Sequence, residues 1–185
     1  IVMDGRDQID IEDPGNGGNG GSGGAIYNSG TIISVTNSSI NCNKAGNGGD
    51  GGLYSDQISL DLWYNVNPAI PGIGGSGGGI YSPGMLNCIE NTTIIQNLAG
   101  NGGNGNPVSR YPSENGGTGG NGGGLVIYNQ IQVINCQITE NNAGNGGSGG
   151  KTFIQGNSPS TKPGNGGNAG FGGGRNRLWF WKKRV

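Results

Sequence analysis

Histidine is absent from this chain of 185 residues, and charge of either sign is scarce, with 10 Lys and Arg against 11 Asp and Glu. Without histidine the chain lacks the commonest general base and the commonest metal ligand. A net charge of −1 gives no overall electrostatic attraction to nucleic acid, so no nucleic-acid partner is expected. No apolar run approaches the roughly 20 residues of a membrane-spanning helix, so no span is expected. The three cysteines, Cys42, Cys88 and Cys136, are odd in number and lack metal-ligand spacing. That excludes a complete disulfide framework and a zinc site, and leaves buried thiols as the expectation. Hydrophobic residues make up 30%, against roughly 45–50% in ordinary soluble domains, so no large conventional core is expected. The chain opens at Ile1 without a leader-like segment, as a processed chain or a fragment would.

What the chain has instead is glycine, 45 residues of it, and an internal repeat. Three segments align: GGAIYNSGTIISVTNSSINCNKAGNGG (23–49), GGGIYSPGMLNCIENTTIIQNLAGNGG (77–103) and GGGLVIYNQIQVINCQITENNAGNGG (122–147). The marker Ile-x-x-Asn recurs at Ile40/Asn43, Ile94/Asn97 and Ile138/Asn141, at spacings of 54 and 44 residues. Inside each unit the apolar residues come in short alternating clusters, such as Ile26, then Ile32, Ile33 and Val35, then Ile40. Alternation between turn residues predicts strands, and no window carries a helical period. Three short strands per unit predict one coil of a parallel β-helix, whose stacked coils bury a continuous inner stripe. The predicted fold is therefore all-β, a single repeat domain over 1–185. Its coils lie near 23–45, 77–99 and 122–143, with partial coils at 1–13 and 172–185.

Two sets of asparagines recur at equivalent positions, Asn37, Asn91 and Asn135, and Asn43, Asn97 and Asn141. Asparagine tolerates left-handed backbone angles at a corner and can bond its counterpart one coil along, so both sets are predicted corner ladders. Asn37 and Asn91 also begin glycosylation sequons, but Asn135 does not, which favours the structural role. Gly-Gly-Ala-Ile (23–26) and Gly-Gly-Gly-Ile (77–80), each followed by Ile-x-x-Asn, resemble the GGA[ILV] and FxxN repeats of polymorphic outer-membrane and pectin-lyase-like β-helix surface proteins. Ile stands where that family usually has Phe. The resemblance covers about 75 residues and implies a right-handed β-helix with a surface, often adhesive, role.

The joins between coils run with period three as x-Gly-Gly over 14–24, 46–78, 100–123 and 144–174. Period three matches a polyproline-II-type helix, and two glycines in three exclude collagen. Such a helix has no internal hydrogen bonds, so its amides must find partners in neighbouring runs. Each join holds two runs around a non-repetitive tip (53–70, 106–114, 151–163), which predicts antiparallel arms extruded from one corner of the solenoid. The glycine pattern resembles the polyglycine-II bundles of phage tail-tip adhesins, where the tips meet the receptor, and of small glycine-rich antifreeze proteins.

Catalysis is not expected. The acids are scattered, with Asp50 matched by Asn104 and Ser148 in the other repeats, where a lyase or hydrolase needs paired carboxylates or calcium. Gly150-Lys151-Thr152 has the letters of a phosphate loop without its strand-to-helix context. No cofactor or metal is expected. The tips carry Tyr54, Trp63 and Tyr64, then Arg110 and Tyr111, then Lys151 and Phe153. These suit contact with a glycan or protein receptor, or packing on one another.

The end segments carry opposite charge. Residues 1–13 hold five acids against Arg6, with Ile1, Val2, Met3, Ile9 and Ile11 as apolar positions. Residues 175–185 hold Arg175, Arg177, Lys182, Lys183 and Arg184 and no acid, with Leu178, Trp179, Phe180 and Trp181. A contact of the last with the first would join copies head to tail, and a contact that does not close makes a filament. Abundant Asn, Ser, Thr and Gly with little charge resembles extracellular, cell-surface or virion-surface proteins. The expected function is a non-enzymatic structural subunit that polymerises with itself. The alternatives are a receptor-binding adhesin acting through the tips and, third, an ice-binding protein.

Overall fold

A computed structural model describes residues 15–52, 69–106, 115–150, 165–168 and 170. Among these, nine short strands and no helix occur: β1 (Ile26–Tyr27), β2 (Thr31–Thr36), β3 (Ser39–Asn41), β4 (Ile80–Ser82), β5 (Met85–Glu90), β6 (Thr93–Ile95), β7 (Leu125–Ile127), β8 (Gln132–Ile134) and β9 (Gln137–Thr139). They form three parallel three-stranded sheets, ordered β1-β4-β7, β2-β5-β8 and β3-β6-β9. Each repeat thus gives one strand to each sheet, as the alternation requires. The register stacks like on like: Ile26, Ile80 and Leu125; Val35, Ile89 and Val133; Ile40, Ile94 and Ile138.

The inward residues of all three sheets meet in one cluster. Ile40, Ile80, Leu86, Ile89 and Ile94 are buried, and Ile26, Ile32, Val35, Leu125, Ile127, Ile131, Cys136 and Ile138 pack around them. Four of the five buried members belong to the middle repeat, because only that repeat has a described neighbour on both sides. Burial of apolar surface is the main favourable term in such a stack.

The strands are short because the chain turns through left-handed residues. Asn37, Asn91 and Asn135 have φ of 49°, 48° and 48°, where asparagine is better tolerated than most side chains. The residue after each folds inward and returns its polar group to the preceding strand. Ser38 Oγ donates to Thr36 O at 2.7 Å, Thr92 Oγ1 to Glu90 O at 2.8 Å and Cys136 Sγ to Ile134 O at 3.2 Å. The second left-handed corner differs from expectation. It falls on Cys42, Gln96 and Glu140, with φ of 58°, 57° and 57°, one residue before the second asparagine set. With that corner taken by its neighbour, each asparagine of the set turns inward.

The thiol expectation also needs correction. Cys42 is exposed, and Cys88 and Cys136 are only partly buried. Cys42 occupies the left-handed corner, which faces its side chain outward, and Cys88 lies beside Ser34 and Gln132 in the register of the middle sheet.

Between register partners the third repeat is one residue shorter than the second: Leu125 to Gln132 spans one residue fewer than Ile80 to Cys88. The Asn129 side chain fills in for the missing ladder group. Its Oδ1 accepts from Leu86 N at 3.3 Å and its Nδ2 donates to Leu86 O at 2.9 Å.

Candidate functional site

The inward asparagines form a continuous ladder. Asn97 Oδ1 accepts from both the amide N and Nδ2 of Asn43, each at 2.9 Å. Asn141 Oδ1 accepts the same pair from Asn97 at 2.9 Å. Asn97 Nδ2 also donates to Ile40 O at 2.8 Å, and Asn141 Nδ2 to Ile94 O at 2.8 Å. Asn97 and Asn141 are buried, so these bonds satisfy groups that water does not reach. The first set makes only one such link, Asn135 Nδ2 to Asn91 Oδ1 at 3.3 Å.

The glycine runs bond to one another in two alternating sets. Runs that lead into a coil (15–22, 69–77 and 115–122), with the matching residues 165–168 and 170, alternate with runs that leave one (46–52, 100–105 and 144–150). Neighbours of opposite kind are antiparallel, as Gly72 N to Gly49 O and Gly75 N to Gly46 O show, both 2.8 Å. Neighbours of the same kind are parallel. There a glycine amide meets the carbonyl of the x residue one coil on, as in Gly48 N to Asn101 O at 2.8 Å. The remaining amide, that of x itself, is met by a side chain. Asn101 N donates to Asn47 Oδ1, Asn145 N to Asn101 Oδ1, Asn104 N to Asp50 Oδ1 and Ser148 N to Asn104 Oδ1.

In run 100–105 every amide N–H therefore has a protein acceptor, at 2.6 to 3.0 Å. This explains why Asn, Asp and Ser recur at x: each caps the amide of its successor. Ile73 and Thr118 mark an exception, because Ile73 offers no side-chain acceptor.

The same packing explains the glycines. A Cβ at Gly75 would stand 2.0 Å from Gly21 O, and one at Gly103 1.9 Å from Gly49 O. In the first run the matching positions are open, with nothing within 4 Å of a Cβ at Gly18 or Gly21. Gly18 and Gly21 are exposed, whereas Gly72, Gly75, Gly117 and Gly120 are buried.

The runs also fix where the tips emerge. Gly52 N donates to Gly15 O at 2.9 Å, and Ile70 N to Asn16 Oδ1 at 2.7 Å, so the return run includes Ile70, which the sequence reading gave to the tip. Segments 53–68, 107–114 and 151–164 all leave from the ends of the runs away from the coils. The expected tip residues Tyr54, Trp63, Tyr64, Arg110, Tyr111, Lys151 and Phe153 lie outside the described residues. So do the expected joint residues Ile1, Val2, Met3, Ile9, Ile11, Leu178, Trp179, Phe180, Trp181, Lys182, Lys183 and Arg184. Gly15 belongs to the far end of its run, so residues 1–14 join the described chain at the level of the tips, whereas Gly170, bonded to Gly144 O at 2.8 Å, is at the coil end.

One surface feature escaped the sequence reading. Tyr27 and Tyr81 stack with ring centroids 5.6 Å apart, and Tyr81 meets Tyr128 edge-on at 5.9 Å. Tyr27 and Tyr128 are 59% and 68% exposed, so the ladder is an external stripe. Its hydrogen bond with Tyr128, then burial, raise the Tyr81 hydroxyl above the usual tyrosine range. The shared offset of Tyr27 and Tyr81 after Gly-Gly-x-Ile was a usable signal, whereas in the third repeat Val126 holds that offset and Tyr128 lies two residues on.

Among the described residues no group of three or more Cys, Asp or Glu side chains is placed to hold a metal ion. Compared with protein-family models, curated proteins and solved structures, the chain gives no match.

Proposed function

We propose that this chain is an extracellular structural protein, a right-handed β-helix with polyglycine-II arms, whose copies join head to tail into a fibre. One observation carries the reading: the bonds between repeats one and two recur between repeats two and three in all three sheets, the asparagine ladder and the glycine runs. A body built by repeating one contact along an axis can extend by the same contact to another copy. The opposite charges of 1–13 and 175–185 would set the polarity of that joint and speed its formation at low salt. Period three and the bonding between runs support the polyglycine-II description. Parallel strands joined by crossovers favour the right-handed path.

Electron microscopy of the purified chain tests the reading. Uniform filaments with an axial repeat of three or four coils, at about 4.8 Å per coil, are expected. A monodisperse monomer at high concentration and low salt would refute it.

A second reading, adhesion through the tips, is favoured by the emergence of all three tip segments from one end of the glycine runs. It predicts that exchanging the aromatic residues of the tips abolishes binding to a receptor glycan or protein while assembly persists. Ice binding has less behind it, because the x ladders read Asn47, Asn101, Asn145 and Asp50, Asn104, Ser148, with no regular threonine.

A further inference from the structure

The inward-leading glycine runs are stacked four deep, and the outer faces of the first and last are chemically complementary. Between the first and second members, and again between the third and fourth, two bonds recur, whereas Ile70 and Ile73 deprive the middle pair of the carboxamide bond. The x carboxamide of the earlier run accepts the x amide of the later one, as in Ile70 N to Asn16 Oδ1 at 2.7 Å and Asn165 N to Asn115 Oδ1 at 2.8 Å. The first glycine of the earlier run donates to the x carbonyl of the later one, as in Gly17 N to Ile70 O at 2.9 Å and Gly116 N to Asn165 O at 2.8 Å.

At the first run the amides of Asn16 and Asn19 have no acceptor among the described residues, and Gly18 and Gly21 present bare backbone. At the last run the exposed carboxamides of Asn165 and Asn168 and the amide of Gly166 have no partner among the described residues. The two sequences match position for position, Asn16-Gly17-Gly18-Asn19 against Asn165-Gly166-Gly167-Asn168.

We infer that the last glycine run of one copy receives the first glycine run of the next, so that a glycine-to-glycine joint continues the stack across the subunit boundary. Asn165 and Asn168 Oδ1 accept from the amides of Asn16 and Asn19 of the second copy, and Gly166 N–H donates to that copy's Asn16 carbonyl. Gly18 and Gly21 lie against the Gly167 and Gly170 carbonyls, as Gly72 and Gly75 lie against Gly18 and Gly21 within one chain. The five acids precede the first run at its tip end and the five bases follow the last at its coil end, so opposite charge favours this pairing over the like-to-like one only through long-range attraction. This inference rests on the fibre reading and gives its joint a location.

The test uses the whole chain. Sedimentation velocity and negative-stain microscopy across a concentration series would compare wild type with Gly18→Ala/Gly21→Ala and with Asn165→Ala/Asn168→Ala. The alanine methyls have open space in the single chain but would meet carbonyl oxygens in the joint. The glycine pair is expected to keep the wild-type circular dichroism spectrum and melting midpoint, while the concentration needed for assembly rises by about tenfold or more. The asparagine pair should raise it less, about threefold, because water can satisfy part of what is lost.

Assembly of the glycine variant at the wild-type concentration would overturn the joint while leaving the fibre reading intact. Loss of its fold would also overturn the joint, by showing that Gly18 and Gly21 are packed inside their own chain. Failure of the wild type to assemble would refute the fibre reading itself.

Discussion

The coils and the glycine stack share one chain and one repeat, and they are ordered by opposite means. In the coils, side chains decide: Ile80, Leu86, Ile89 and Ile94 fill the interior, and the backbone follows their register. In the stack the backbone decides. Its glycines have no side chain to bury, its amides bond to carbonyls of the adjoining runs, and its few side chains act as acceptors for amides. Glycine is entropically costly to order, so each run depends on its neighbours being in place. The two regions should therefore fail differently when altered, the coils by degrees and the stack abruptly.

The largest expected effect is at Gly75→Ala. The added methyl would stand 2.0 Å from Gly21 O, and backbone on both sides leaves no flexible group to yield. Loss of the cooperative melting transition, or a fall of more than about 10 °C in its midpoint, is expected by circular dichroism or calorimetry. A change of only a degree or two would erase the contrast between the regions.

Ile89→Ala should cost less, about 2–4 kcal/mol in denaturant titration, because a coil can partly collapse around the cavity. Asn97→Ala should cost about 1–3 kcal/mol. It strands the Ile40 carbonyl in a buried site and the part-buried Asn43 amide beside it. Asn101→Ala should cost about 1 kcal/mol or less, since water can reach the orphaned Asn145 amide at the exposed face. If Asn101→Ala matched Asn97→Ala, the distinction between buried ladder and exposed cap would fall.

The smallest effect concerns the tyrosine stripe. Tyr81 is held above its usual range chiefly by its hydrogen bond with Tyr128. A raised folded value favours the neutral hydroxyl. The stabilisation it brings is present below the unfolded tyrosine value, about 10, and is lost as pH rises through the higher folded value. Tyr81→Phe should therefore lower the melting midpoint slightly at neutral pH and flatten its alkaline fall, the two proteins converging above the folded value.

Much of the coil architecture was legible because its cause is local and periodic. Alternating Ile and Val positions at matching offsets give three strands per repeat, and they also give the register Ile40, Ile94, Ile138. The glycine period announced that the joins must bond outward.

What escaped has physical reasons as well. The left-handed corner at Cys42, Gln96 and Glu140 is imposed by the path of the chain, on residue types that do not advertise it. Each neighbouring asparagine looked like the corner residue but turned inward to build the ladder. Exposure of Cys42 follows from the same corner. Tyr128 joined the stripe from two residues beyond Val126, the register partner of Tyr81. The terminal and tip residues named from the sequence owe their candidacy to charge and aromatic content, which say what could bind and not where it is held.

The central claim is that backbone bonding orders the glycines inside a single chain. Hydrogen exchange followed by NMR, at a concentration below assembly, tests it residue by residue. Protection of the Gly75, Gly100 and Gly103 amides by about a thousandfold or more, comparable to that of the Ile89 and Ile94 amides, is the expected result, with Asn16 and Asn19 exchanging freely. Exchange of Gly75, Gly100 and Gly103 at the rate of an unstructured chain, while the strands stay protected, would contradict it.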